Sequence, residues 1–219
     1  MTKLTTVELM PADLAPASNL LAEAFFDNPS HVYIFANQST RFKALQWGLK
    51  TNLALNLIQP DSNGRSFAFV ETDKLPGIRQ IQAMGFWTPP TSGKISILSK
   101  VKTGWLTIQL RYGWSVWQRL TEVMNTMERI QNTVNKDNPA WYLNNMAVAK
   151  NLRGSGLGTK LLKTQIQSVV LPSGFPAILM TQKLENVRFY ERLGFEIVDQ
   201  SVIGSGENSF NSWCLIFHN

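Results

Sequence analysis

The chain has 219 residues, enough for one large domain or two small ones, and its 44% hydrophobic content with seven Trp and twelve Phe excludes a disordered protein. The net charge of +6, from 21 Lys+Arg against 15 Asp+Glu, favours acidic partners only in a general way, because no basic-aromatic cluster or nucleic-acid motif accompanies it. One cysteine, Cys214, excludes an internal disulfide framework, and two histidines with it give no metal-ligand spacing, so no metal is expected. The N-terminus has no apolar signal core, and no uncharged apolar run approaches the roughly 18 residues of a membrane span; the expectation is a soluble, cytoplasmic protein with no membrane partner.

Leu4–Met10 alternates enough to be a first strand, which Pro11 ends. Asp13 is placed to cap a helix over Leu14–Phe26, and Asp27-Asn28-Pro29 stops that helix. Ser39 or Thr40 caps a second helix, whose stripe is Phe42, Leu45, Leu49, Leu53 and Leu57. After the turn residues Pro60 to Gly64, Ser66–Thr72 and Arg79–Trp87 read as two strands joined by a hairpin connection over Asp73–Gly77. Residues 91–138 read as a helical insertion of two helices, one carrying Ile95, Leu98, Val101, Trp105, Ile108 and Tyr112, the other Val116, Leu120, Val123, Met127, Ile130 and Val134. It either enlarges the core or forms a lid over a substrate site. Trp141–Val148 is a strand, Leu157–Val170 a helix, Pro172–Pro176 a loop and Ala177–Thr181 a short buried strand. A helix over Asn186–Leu193 ends at Gly194, and Phe195–Ile203 and Ser212–Phe217 complete the set. The strand–helix–strand unit over Trp141–Thr181 requires a parallel pair; the other pairs are expected to be antiparallel. The fold class is therefore a mixed α/β, α+β-like single domain over residues 1–219.

The densest signal lies between that fourth strand and its helix. Gly154, Gly156 and Gly158 fall within five residues, where a helix start points unpaired N–H groups and its positive dipole end at one spot. Phosphate is the usual occupant of such a site, and Arg153, Lys160 and Lys163 could add full charge. A dinucleotide fingerprint needs two residues between its second and third glycines, and only Leu157 separates Gly156 from Gly158. A Walker loop needs Gly-Lys-Ser/Thr, and the order here is Gly158-Thr159-Lys160.

The spacing that does fit is Arg/Gln-x-x-Gly-x-Gly, filled by Arg153, Gly156 and Gly158, with Met146-Ala147-Val148 just upstream. It resembles the acetyl-CoA site of the GNAT superfamily of N-acetyltransferases. A second block, Asn186 to Phe195 with Phe189-Tyr190 and Gly194-Phe195, resembles that superfamily's last characteristic motif. Within the superfamily, Ala140 to Leu143, Trp213-Cys214 and the Ala24 to Pro29 stretch resemble puromycin N-acetyltransferase-like members. The resemblance implies a twisted mixed sheet flanked by helices, with the helical insertion between the third and fourth strands. It also implies acetyl-CoA as cosubstrate, a primary amine of a small molecule as acceptor, and direct transfer in a ternary complex. A homodimer is compatible with it.

The resemblance further assigns roles. Backbone N–H groups from Gly154 through Ser155, Gly156, Leu157 and Gly158 to Thr159 would wrap the pyrophosphate, and an N–H of Met146 or Val148 would receive the charge that develops on the carbonyl oxygen. Tyr190 would give the leaving thiolate its proton, and Asn186 would orient the pantetheine arm. Many relatives carry a Glu on the strand before the glycine turn; Asn144 and Asn145 stand there instead and cannot act as bases. Glu71, Glu122, Glu128 and His31 are the candidates elsewhere. Two other readings compete: a protein or peptide N-acetyltransferase, which would want an open groove, and a non-catalytic acyl-CoA-binding sensor. Cys214, in a terminal strand, reads as buried rather than nucleophilic.

Overall fold

The computed structural model describes residues 4–57, 65–71, 80–90, 97–136 and 139–219. The expected turn at 60–64, the hairpin connection at 73–77 and the start of the insertion lie outside them. The strands are β1 (Leu4–Glu8), β2 (Arg65–Glu71), β3 (Gln80–Thr88), β4 (Trp141–Val148), β5 (Ala177–Thr181), β6 (Glu196–Ile203) and β7 (Phe210–Phe217). They form one seven-stranded sheet in the order β1-β2-β3-β4-β5-β7-β6. Only β4 and β5 run parallel, as the strand–helix–strand unit requires; every other neighbouring pair is antiparallel.

Helices cover the sheet with two main cores. One joins α1 (Leu14–Phe25) and α3 (Gln38–Leu57) to the sheet through Leu21, Leu45 and Leu53 against Met84 and Phe86. The other packs α7 (Leu157–Gln165) and the following π turn, through Leu162, Ile166 and Val170, on Trp87, Leu143 and Leu179. Strand β3 feeds both and is buried from Ile81 to Trp87, as a central strand must be.

Gly85 marks the tightest approach of α7 to that strand. A Cβ there would stand 2.5 Å from Gln165 Oε1 and 2.9 Å from Nε2. Gln165 is itself buried and accepts a hydrogen bond from Trp87 Nε1 at 2.7 Å. Gly85→Ala is therefore expected to displace that amide and destabilise the chain by about 1–3 kcal/mol. A urea titration of the two chains checks it.

Several local expectations change. The Asn28-Pro29 pair that stops α1 also starts a helix, α2 (Pro29–Ile34), because Asn28 Oδ1 accepts from Ser30 N–H at 3.0 Å and Pro29 occupies the first turn. Asn37 caps α3 in place of Ser39 or Thr40, its Oδ1 accepting from Ser39 N–H at 3.0 Å. Asp13 closes the preceding turn, accepting from Met10 N–H at 2.9 Å, and gives α1 no side-chain cap. The insertion's first helix is broken at Gly104, with φ of 76°, into α4 (Ile97–Lys102), a 3-10 turn and α5 (Ile108–Tyr112). Gly113, at φ 87°, separates α5 from α6 (Trp114–Val134), the long helix of the insertion. Helical structure continues past the expected end of α7 into α8 (Leu171–Ser173), and Gly174, at φ 74°, ends it.

Candidate active site

The site begins where the sheet opens. β4 and β5 pair only over Trp141–Leu143 with Ala177–Leu179, although β4 continues to Val148 beside β3. Beyond Leu143 the two parallel strands separate. The register of β4 also shifts there: Phe86 pairs with Asn145 and Trp87 with Leu143, so Asn144 is the bulged residue. The bulge thus precedes Met146 and Val148, the expected oxyanion donors.

At the far end of β4 the chain enters the glycine turn. Gly154 and Gly156 have φ of 79° and 82°, a backbone region that side chains enter only at a cost. The first α7 hydrogen bond runs from Lys160 N–H to the Gly156 carbonyl at 2.9 Å. The N–H groups of Leu157, Gly158 and Thr159 therefore belong to the helix's unpaired first turn. Gly158 lets α7 press on the strand: a Cβ there would meet Val148 Cγ2 at 3.3 Å and Met146 Cε at 3.4 Å. Arg153 is tethered by its Nε, which donates to the Val148 carbonyl at 3.3 Å.

A groove of about 550 Å³ runs from this turn toward the opening of the sheet. Met146, Ala147, Val148, Arg153, Gly154, Gly156, Leu157, Gly158, Thr159, Asn186 and Tyr190 all line it. Ser155 does not; its hydroxyl turns back to the Leu152 carbonyl at 2.6 Å. Lys160 is not in the lining either, and its amine stands over the Phe69 ring at 5.7 Å. The cations along the groove are Arg153, Lys183 and Arg192.

Tyr190 and Asn186 come from α9 (Leu184–Glu191), at the inner end of the groove. The Tyr190 ring is held edge-on by Phe189 at 5.1 Å and Phe195 at 5.7 Å. Burial pushes its phenol well above the ordinary range, so it stays protonated at any working pH. Asn186 Nδ2 donates to Thr181 Oγ1 at 3.1 Å. Across the opening, the α1–α2 turn is tied to the β5–α9 turn. Lys183 Nζ meets Asp27 Oδ1 at 2.8 Å, and this bond holds the Asp27 carboxyl below its usual range. Asn28 Nδ2 donates to Gln182 Oε1 at 3.2 Å, and Gln182 Nε2 donates to the buried Ser212 hydroxyl at 3.2 Å.

Past Tyr190 the groove opens into an inner cavity of about 220 Å³. Phe25, Asn28, Met146, Asn186 and Tyr190 line both spaces. The inner cavity is completed by α6, through Leu120, Val123, Met124 and Met127, and by His31, Tyr142, Asn144 and Asn145. The insertion therefore walls the cavity as well as contributing to the core. Of the carboxylates considered as bases, Glu122 accepts from the Tyr33 hydroxyl at 2.5 Å and does not line this cavity. Glu71 stands at the end of β2, and Glu128 lies farther out along α6. Cys214 is fully buried, and burial pushes its thiol up to about 12, so it is no nucleophile.

His31 stacks on Phe25 with ring centroids 5.4 Å apart, and its Nδ1 is buried without a hydrogen-bond partner among the described residues. Burial lowers its imidazole from 6.5 to about 4. Between those values the unfolded chain takes up a proton that the folded chain refuses. Stability present above pH 6.5 is therefore lost as pH falls toward about 4, by something on the order of 2 kcal/mol. His31→Phe, which keeps the stack, is expected to lose less stability than wild type between pH 7 and pH 4.5, as urea midpoints at the two pH values will read.

Residues 122–197, from α6 through the glycine turn and α9 to the start of β6, match the family model described as an acetyltransferase (GNAT) domain. The whole chain is similar in fold to solved enzymes of that kind. One is a polyamine N-acetyltransferase of Drosophila melanogaster, at 12% identity and TM-score 0.61, with 99% of this chain and 100% of that one covered. Another is arylalkylamine N-acetyltransferase 2 of Aedes aegypti, at 12% identity and TM-score 0.58, with 98% of each chain covered. A third is the ribosomal-protein alanine N-acetyltransferase of Escherichia coli, at 14% identity and TM-score 0.54, with 98% and 93% covered. The fold is the GNAT fold.

On the GNAT fold, the residues that sequence reasoning missed come mainly from outside the two motif blocks. Ala24, Phe25 and Asn28 close the groove from α1 and its turn, and Lys183, Glu185, Phe189 and Arg192 from around α9. The Asn28-Pro29 pair was the available signal, since an Asn that both ends one helix and caps the next is fixed in place on two sides. Among the described residues, no helix is long and apolar enough to cross a membrane.

Proposed function

We propose that this chain is an N-acetyltransferase that carries an acetyl group from acetyl-CoA to a primary amine of a small molecule, by direct transfer in a ternary complex. The observation that carries the reading is the meeting, in one groove, of an anion-binding helix start and a phenol that burial keeps protonated. Acetyl-CoA supplies the acetyl group as an activated thioester. The N–H groups of Gly154, Gly156, Leu157, Gly158 and Thr159 hold its pyrophosphate at the positive end of α7, with Arg153 beside them. The N–H of Met146 or Val148, on β4 past the bulge, would donate to the thioester oxygen as charge develops on it. Asn186 would position the pantetheine arm, Tyr190 would give the departing sulfur its proton, and the attacking nitrogen would release its own proton to water in the inner cavity. Ser155 is not among the pyrophosphate donors: its N–H and its hydroxyl both donate to the Leu152 carbonyl, at 3.4 and 2.6 Å.

Direct transfer is supported by the residues common to groove and inner cavity, which let donor and acceptor meet without a covalent enzyme intermediate. A small acceptor is supported by α6, which walls the cavity with Leu120, Val123, Met124 and Met127. The puromycin-type resemblance rests on the sequence motifs, and a reducing cytoplasm suits the single buried thiol.

The test is calorimetric titration with acetyl-CoA and with CoA, followed by thiol release against a panel of amines. Micromolar binding and release with one amine class are expected. A folded chain that binds neither nucleotide sinks the reading; tight binding with no release for any amine would favour the acyl-CoA sensor.

A further inference from the structure

The inner cavity does not end at the transfer point. It continues into a second cleft of about 370 Å³, the size of a small-molecule site. His31, Tyr142, Asn144 and Asn145 line both spaces, so they mark the junction. Beyond them the walls are largely apolar and aromatic, with Phe35, Leu45, Trp47, Leu49, Trp105 and Ile108. Resting on the acetyl-transfer reading above, we propose that the acceptor is a primary monoamine with a flat apolar body, of the arylalkylamine class. Its nitrogen lies at the His31–Asn144–Asn145 junction and its ring lies in the Trp47–Trp105 cleft.

Charge and desolvation decide the class. A polyamine would place a second ammonium among these walls, and an ammonium in apolar surroundings is costly unless paired. Among the described residues, Glu128 is the one carboxylate lining the cleft, and it is exposed to solvent. The two tryptophans already carry cations: Arg111 Cζ stands 5.4 Å from the Trp47 ring centroid and Lys100 Nζ 5.2 Å from the Trp105 ring. Neither cation lines the cleft, and a second ammonium on the acceptor would find the exposed Glu128 as its one charged partner among the described lining residues. An aromatic ring instead gains burial and ring contacts. The junction is polar where the nitrogen must be. The Asn144 and Asn145 side chains are only partly buried, so their amides are open to a bound nitrogen.

The full chain, saturated with CoA, is titrated calorimetrically with 2-phenylethylamine, spermidine and a short peptide bearing a free N-terminus. Phenylethylamine is expected to bind about fivefold or more tightly than either competitor. Trp47→Ala is expected to weaken phenylethylamine about tenfold and leave acetyl-CoA affinity unchanged. Trp47 also packs on Tyr112 at 5.5 Å, so Trp105→Leu is measured beside it in case the first variant does not fold. A smaller preference, a reversed order, no saturable amine binding, or an amine affinity indifferent to the folded variant overturns the inference while acetyl-CoA still binds. Failure of acetyl-CoA itself to bind overturns the acetyl-transfer reading instead.

Discussion

A Gly156→Glu chain is expected to remain folded and to bind acetyl-CoA about 100-fold more weakly, or worse, than wild type. The position has a φ of 82°, so any side chain costs about 1–3 kcal/mol of backbone strain. No atom lies within 4 Å of the place a Cβ would take, so the new side chain meets no wall and the core is untouched. What it meets is the anion site. Its carboxylate would stand among the unpaired N–H groups at the start of α7 and present a negative charge to a pyrophosphate. Gly156→Ala separates the two effects: it carries the strain without the charge and is expected to weaken binding by about tenfold or less. Gly158→Ala fails for a third reason, because its Cβ would press Val148 Cγ2 at 3.3 Å and lift α7 from the strand. Calorimetry with a thermal melt of each variant reads all three. A Gly156→Glu chain that folds and binds within about threefold of wild type would remove the glycine turn from the donor site.

The glycine turn was legible because it is local. Positive φ, a helix start and the strand before it are all written within Met146–Leu162, and the residues singled out there, Ser155 apart, line one groove together with Asn186 and Tyr190. The sheet was legible for a related reason: runs such as Ile81–Trp87 and Ala177–Thr181 have few other solutions, and one crossover fixes the parallel pair. The proposed acceptor side was not legible. Its walls come from α2, α3, α5 and α6, whose shared cavity has no local pattern, and the ties across the opening join Asn28 to Gln182 and Asp27 to Lys183 over most of the chain's length. α2 escaped because six residues are too few to show a helical stripe. The single insertion helix expected over Ile95–Tyr112 failed at Gly104, where side-chain periodicity continues but the backbone does not. His31 could not be judged from sequence, since what makes it neutral is burial supplied by distant residues.

Tyr190→Phe is the second large effect: kcat is expected to fall about 10²- to 10⁴-fold, with acetyl-CoA affinity and the melting temperature nearly unchanged. The ring keeps its neighbours, because Phe189 and Phe195 pack edge-on against the aromatic ring that the variant retains. Only the proton source is removed. A residue that merely packed would show the reverse pattern, with little change in kcat and no reason for the loss to fall on one kinetic constant. The pH profile adds a second readout. Burial raises the Tyr190 phenol above its usual value of 10.0, so the protonated acid persists throughout the ordinary alkaline range. The wild-type kcat should therefore show no alkaline decline from this group below about pH 10. In the Phe variant the sulfur must take its proton from water, so the solvent isotope effect on kcat should change along with the rate. A variant that retains kcat within about threefold would remove Tyr190 as the acid and leave water in the inner cavity, beside Asn186 and Thr181, as the proton source.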